Sequence, residues 1–321
     1  MITHMDKPVV SIIMPVFRNR DTLARALDSF LEQDFKEPSE LIMGIDDSGD
    51  GSIDLAKEYC EKHPERIKMH TEEYRMGQAL SRFKAIEDAK GDYIYFMDAD
   101  DRLRKDCLST LVKTMRDTDA DCVNCSFYQV DEKKEKAFFS SSKATYGKKQ
   151  AITAFLWDIS FRGFLWTKMW KREILEKRPL LLLSNHKDMF EDVAFCISML
   201  SYCEKVVCIK DPLYYYYKNV PTSAMSVHRI DRAERHLWVF ALIRSYLEKN
   251  QDKTLIEAFK KTTFRSYLSL LFDLSLDKKY GASKEYLKNV KKEWKEVKNL
   301  KKPLPESGRS YNELLDRAWL N

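Results

Sequence analysis

The sequence lacks a glycine-rich phosphate loop. No G-x-G-x-x-G and no Walker-type segment occurs in its 321 residues, so dinucleotide-dependent dehydrogenases and P-loop enzymes lose support. It also lacks a long apolar run. No uncharged stretch approaches the roughly 18 residues that a membrane span needs. The opening Met1-Ile2-Thr3-His4-Met5-Asp6-Lys7 has no apolar segment of the signal-peptide kind. These absences lead to the expectation of a cytoplasmic protein, with peripheral contact at the inner face of the cell membrane left open. No disulfide framework is visible either: seven cysteines at scattered spacings favour a reducing compartment. Cys122 and Cys125 form a C-x-x-C match. They sit in an apolar, β-branched run without a second pair or a nearby histidine, which reads as buried strand thiols instead of a metal or redox site. There is no internal repeat and no low-complexity tract. Lys+Arg 55 against Asp+Glu 50 gives +5, too mild an excess to argue for nucleic acid.

What is present is alternation. Val9 to Met14 is a short apolar run ending at Pro15, and Leu41 to Ile45 and Tyr93 to Met97 are similar runs. They read as buried strands. Arg66 to His70 is a third, weaker strand. Between them, Thr22 to Gln33, Ser52 to His63 and Met76 to Lys90 carry apolar residues at helical spacing. Such alternation means βαβ units and a mainly parallel sheet. Further on, a helix is expected around Leu108 to Met115 and a strand at Cys122 to Tyr128. Asp131 to Lys149 is less regular, and Gly163 to Lys168 reads as a strand or tight loop. A helix follows through Phe190 to Leu200, then a strand at Val206 to Ile209 and an aromatic edge at Leu213 to Tyr217. From about Ile230 the alternation gives way to helical spacing, including a Lys-rich stretch from Lys284 to Leu300. The length suggests about two domains, placed at 1–220 and 221–321.

Two acidic segments end strands, where ligands of open α/β sheets bind. Asp98-Ala99-Asp100-Asp101 follows the Tyr93 strand. A hard divalent cation prefers oxygen ligands, and a D-x-D here can give one carboxylate to a metal and one to a sugar hydroxyl. The metal can bridge the phosphates of a nucleoside diphosphate and stabilise its departure. A solvated acidic turn capping a helix near Arg104 is the competing reading. Asp46 to Gly51 partly matches a calcium loop, but Lys57 stands where that loop needs a bidentate Glu, and a strand precedes it. A carboxylate there can instead accept from a base N–H of a nucleotide. Glu191-Asp192 opens an amphipathic helix, where carboxylates suit the dipole and where one can also act as a base for an acceptor hydroxyl. His228-Arg229 offers a further metal ligand and a phosphate contact, or an exposed histidine near a helix start.

In this order the segments VSIIMPV (10–16), ALDSFLEQDF (26–35), IDDSGDGS (45–52), AKGDYIYFMDADDRL (89–103), WTKMWKREI (166–174) and FEDVAF (190–195) resemble the inverting glycosyltransferases of family two, of the bacterial cell-surface glycan type. The resemblance covers roughly residues 8–226. It implies an α/β GT-A nucleotide-diphospho-sugar transferase fold, a mainly parallel mixed sheet flanked by helices, with a helical C-terminal region. It also implies roles: Asp47 on the nucleobase with Pro15 and Phe17 lining that pocket, Arg82 beside the donor, Asp98 on the ribose, Asp100 on the metal, and Asp192 as base with Glu191 beside it. His228 is carried as a second metal ligand. The sequence departs from the family at Arg18-Asn19-Arg20, where Asn and then Glu are usual, and the loop after Asp46 is one residue short.

The expected activity is transfer of a sugar from a UDP-sugar to a glycan or lipid-linked acceptor, assisted by Mn2+ or Mg2+. The alternatives are a sugar-phosphate nucleotidyltransferase and a catalytically silent sugar-binding protein on the same fold. Nucleic acid is not an expected partner. Peripheral membrane contact through the basic C-terminal helix and a homodimer stay open.

Overall fold

The computed structural model describes residues 7–71, 77–131, 134–138, 143–156, 163–177 and 191–218, with the single helical positions 253 and 256. The chain divides into two compact units, Met1–Ser226 and Val227–Asn321. Save for those two positions, the helical region expected from residue 221 lies outside the described residues, and so do His228 and the Lys-rich stretch.

The first half alternates as the periodicity requires. Strand β1 is Val10–Val16, helix α1 Arg20–Leu31, β2 Ser39–Ile45, α2 Ser52–Lys62, β3 Ile67–Thr71, α3 Gly77–Glu87 and β4 Tyr93–Phe96. These strands pair in parallel in the order β3-β2-β1-β4. Every residue of β1 and β2 is buried, because helices cover both faces of such a sheet and leave no position for polar alternation. Leu23, Ala26, Leu27 and Phe30 of α1 are wholly inside.

The second half is mixed. It comprises β5 Arg102–Leu103, α4 Cys107–Thr118, β6 Cys122–Asp131, β7 Lys134–Phe138, β8 Ala144–Gly147, α5 Lys148–Leu156, β9 Lys168–Lys171, α6 Arg172–Glu176, α7 Glu191–Leu200 and β10 Lys205–Tyr217. Strand β9 enters antiparallel between β4 and β6, and β10 runs parallel to β6. The sheet order is β3-β2-β1-β4-β9-β6-β10-β5, with β7 on β6 and β8 on β10. Among the described residues parallel pairing is thus confined to β1–β4 and the β6–β10 pair. Cys122 and Cys125 are buried free thiols on β6.

Three local expectations change, and a fourth resolves to the tighter of its two readings. Strand β1 runs through Pro15 to Val16. Tyr93 and Met97 N–H donate to Val9 and Ile13 carbonyls, so odd-numbered β1 residues face β4. Pro15 therefore turns its missing N–H to where the β4 pairing has already ended, and no ladder bond is lost. The irregular stretch from Asp131 contains β7 and β8, which add short antiparallel strands. The expected aromatic edge is not an edge: residues 205–217 form one bulged strand between β6 and the outer β5 and β8. The stretch 163–168 is a 3-10 turn at Leu165–Thr167 leading into β9.

Candidate active site

The C-terminal ends of β1, β2 and β4 lie side by side because these strands are parallel neighbours. Each end contributes one part of the site.

The turn after β4 carries the acidic cluster. Carboxylate oxygens of Asp98, Asp100 and Asp101 lie within 4.8 Å of one another. Asp98 and Asp100 are partly exposed, whereas Asp101 is 0% exposed. Two elements hold the turn. From β10, the Tyr214 hydroxyl accepts the Asp98 N–H at 3.0 Å and donates to Asp101 Oδ2 at 2.8 Å. Tyr217 N–H donates to Asp101 Oδ1 at 2.8 Å. From α1, Thr22 Oγ1 donates to the Ala99 carbonyl at 3.0 Å and Arg25 Nη2 to the Asp100 carbonyl at 2.5 Å. The Arg25 guanidinium also lies 3.7 Å from the Tyr217 ring centroid. Asp101 is therefore the anchor of the turn.

The reading of this segment as a solvated helix cap is overturned. Helix α4 begins at Cys107 with Asp106 in the capping position, and Asp101 is buried under β10.

Three carboxylates this close repel one another. Burial first, then the charges of Asp100 and Asp98, push the Asp101 carboxyl well above the usual range, against the pull of its hydrogen bonds to Tyr217 and Tyr214. Burial and the Asp98 charge likewise push Asp100 up. Arg82 of α3 supplies one compensating charge, with Nη2 3.2 Å from Asp98 Oδ1. The exposed side of the turn thus presents hard oxygen donors, Asp98 and Asp100, in a field short of positive charge. That donor set fits a divalent cation such as Mg2+ or Mn2+.

Arg82 reaches Asp98 because α3 lies unusually close to the sheet. A Cβ on Gly44 of β2 would come 2.2 Å from the Ser81 carbonyl oxygen, so only glycine allows this approach. The N-terminus of α3 is held by Asp46, which is 3% exposed and accepts the Gly77 N–H at 2.7 Å.

The ends of β1 and β2 form the second part. Asp46 turns inward, while Asp47 is exposed and accepts the Gly49 N–H at 2.9 Å. Pro15 is buried and Phe17 half-buried. Asp50 joins the two loops: it accepts from Arg20 N–H at 3.1 Å, Ser48 Oγ at 2.7 Å, Ser52 N–H at 3.0 Å and Ser52 Oγ at 2.9 Å.

Helix α7 is the third part. Asp192 Oδ1 accepts the Val193 N–H at 2.9 Å. Phe195 packs edge-on against Phe96, the last residue of β4, at 5.8 Å. This sets α7 against the strand that delivers the acidic turn. Glu191 opens the helix, and its side chain lies outside the described residues.

The structure therefore brings together Asp98, Asp100 and Arg82 and places Pro15, Phe17 and Asp47 on the adjoining strand ends. Thr22, Arg25, Tyr214 and Tyr217 were not singled out by the sequence, and Asp101 had no assigned part. The tyrosine run at 214–217 was the one visible signal. Thr22 and Arg25 gave none, since both read as ordinary helix positions.

Known proteins resemble this chain in sequence and in fold. EpsH of Bacillus subtilis, named as a glycosyltransferase, is 28% identical over 261 residues, covering 80% of this chain and 73% of its own. Among solved structures, S. aureus TarS 1–349 in complex with UDP aligns with a TM-score of 0.57 at 18% identity, over 72% of this chain and 64% of that one. Mannosyltransferase PcManGT from Pyrobaculum calidifontis, in complex with GDP-Man and Mn2+, aligns with a TM-score of 0.53 at 18% identity, over 90% and 85%. The fold is GT-A. The family model described as glycosyl transferase family 2 matches residues 11–178. That span is more than half of the chain and runs from β1 past the acidic turn and β9, so this glycosyltransferase belongs to glycosyl transferase family 2.

Proposed function

We propose that the chain moves a sugar from a UDP-sugar to a hydroxyl of a glycan or lipid-linked acceptor of the bacterial cell surface, inverting the anomeric carbon. The observation that carries this reading is the clamped acidic turn, which offers Asp98 and Asp100 outward beside Arg82. Asp47, exposed at the rim, pairs with the base N–H, and Pro15 and Phe17 line that pocket. Asp98 accepts from the ribose. Asp100 holds Mn2+ or Mg2+, which when bound stabilises the negative charge on the departing diphosphate. Asp192, with Glu191 beside it, takes the proton from the acceptor hydroxyl as that oxygen attacks. The UDP held by the TarS complex and the Mn2+ held by PcManGT support the donor and metal classes. Among the described residues no helix is long and apolar enough to cross a membrane.

The test is UDP release from a panel of UDP-sugars with Mn2+ or Mg2+. Asp100→Ala should abolish metal-dependent turnover, and full retained activity refutes its role. Asp192→Asn should abolish transfer while leaving UDP binding intact.

A further inference from the structure

Trp166, in the turn that leads into β9, is buried at the centre of a cluster of aromatic rings. The Tyr214 ring lies nearly parallel to it at 4.6 Å and 15°, the Phe164 ring at 4.7 Å and 10°, and the Tyr216 ring at 5.5 Å and 6°. Phe127 of β6 stands edge-on to the indole at 4.9 Å, and to Phe164 and Tyr216 at 5.9 Å and 6.4 Å. Trp166, Tyr214 and Phe127 are core residues, and a core accounts for them. Phe164 and Tyr216 are only partly buried. A single half-exposed ring is ordinary. These two share one indole and one orientation, so they form a continuous aromatic rim.

The rim adjoins two parts of the candidate active site. Tyr216 follows Tyr214, whose hydroxyl holds both Asp98 and Asp101. Burial first, then the charges of Asp101, Asp100 and Asp98, raise the Tyr216 hydroxyl above its ordinary range. Tyr216 therefore lies within the field of the acidic turn and keeps its proton. At the other end, Gly163 precedes Phe164. A Cβ on Gly163 would come 2.8 Å from Val193 of α7, and Cys196 Sγ of the same helix donates to the Gly163 carbonyl at 3.4 Å. The rim thus runs from the turn that carries Asp98 and Asp100 to the helix that carries Asp192. An acceptor hydroxyl has to reach the space between those two.

A pyranose presents a face of C–H bonds ringed by hydroxyls. Those hydrogens carry partial positive charge, and the face of an aromatic ring carries negative quadrupole. A sugar laid on Phe164 and Tyr216 gains contact across its face, while hydroxyls at its edge meet the Tyr216 hydroxyl and water. A prenyl chain could cover the same rings, but it gains nothing from the neighbouring carboxylates and would strip them of water. We propose that Phe164 and Tyr216 form the acceptor subsite, a platform on which a sugar ring of the acceptor stacks. The inference rests on the reading of the chain as an enzyme that moves a sugar from a UDP-sugar. It deepens that reading by naming a sugar ring, and not a lipid tail, as the part of the acceptor held beside the donor.

The experiment is saturation-transfer NMR on the full chain with UDP and Mg2+. The probes are the methyl glycosides of glucose, galactose, mannose and N-acetylglucosamine, with sorbitol as a ringless polyol and geraniol as a prenyl alcohol. At least one glycoside should take up saturation on its ring C–H protons, while sorbitol and geraniol do not. Phe164→Leu should weaken that glycoside by about 10-fold. Tyr216→Phe, which keeps the ring and loses the hydroxyl, should weaken it by about 5-fold. UDP affinity should stay native in both variants. Binding by no glycoside, binding of geraniol in their place, or native glycoside affinity in the variants each overturn the proposal. So does a joint loss of UDP and glycoside binding, the mark of a merely structural role. If Phe164→Leu does not fold, Tyr216→Phe decides alone. UDP release from UDP-sugars by the native chain, measured alongside, separates the two claims. No release with glycoside binding intact removes the UDP-sugar reading, and release without glycoside binding removes only the present inference.

Discussion

The Tyr214 hydroxyl and the Asp101 carboxylate, 2.8 Å apart, are the buried joint on which the acidic turn is hung. The same hydroxyl accepts the Asp98 backbone N–H, so one phenol closes both ends of the turn. Burial and the charges of Asp101 and Asp98 hold that phenol far above its ordinary range, which keeps it a neutral donor. The side of the turn that carries Asp98 and Asp100 is thereby set by a residue more than a hundred positions away.

Tyr214→Phe tests this joint. The ring keeps its stack on Trp166, 4.6 Å between centroids, but the Asp98 N–H and Asp101 Oδ2 lose their shared partner. Leaving such buried groups unpaired costs about 1–3 kcal/mol. Denaturant unfolding should show that loss, and UDP release should fall because Asp98 and Asp100 are no longer fixed. A Phe variant with native stability and native kcat would show that the turn holds itself.

Arg18 offers a prediction of the opposite sign. Its φ is 59°, in the left-handed region that costs a side-chain-bearing residue roughly 1 kcal/mol and that Asn tolerates best. The family resemblance puts Asn at this place. The Arg18 N–H donates to Ser48 Oγ at 3.3 Å, a bond that any residue can make. Arg18→Asn should therefore stabilise the chain by about 0.5 kcal/mol, read as a higher urea midpoint with an unchanged slope. A lower midpoint would mean that the guanidinium over the Phe17 ring, 5.1 Å from its centroid, contributes more than the backbone strain costs.

These two residues also show what was legible in advance. The parallel half of the sheet was readable because β1, β2 and β4 each centre on a short, mostly apolar run, which a doubly covered sheet demands. The acidic turn was readable because its chemistry is local in sequence. Its supports were not. Thr22 and Arg25 grip main-chain carbonyls, and Tyr214 reaches a backbone N–H. Such bonds depend on how two distant elements meet and leave no spacing pattern. The antiparallel β9 was missed as a central strand for a related reason. It is four residues long, too short for its burial on both faces to show as a period.

The last prediction concerns pH. Asp50 knits the β1 and β2 loops together. Burial, the largest single influence, raises its carboxyl, but hydrogen bonds from Ser48, the Ser52 side chain, the Ser52 backbone and the Arg20 backbone together outweigh it, and the result is lowered to about 2. A carboxyl depressed in the folded state binds its proton more readily when unfolded. Its contribution to stability is therefore present above the ordinary value of 3.8 and is lost as pH falls through about 2. The side chain is exposed, so solvent screening keeps the effect modest. Asp50→Asn should be less stable than the native chain near neutral pH, and the gap should close as pH falls through about 2, below which both side chains are neutral. The loops it joins carry Phe17 and Asp47, so the Asn variant should also bind UDP more weakly at neutral pH. Parallel unfolding curves for the two proteins across the acid range, with a constant gap, would show that Asp50 holds the loops by geometry without any contribution from its charge.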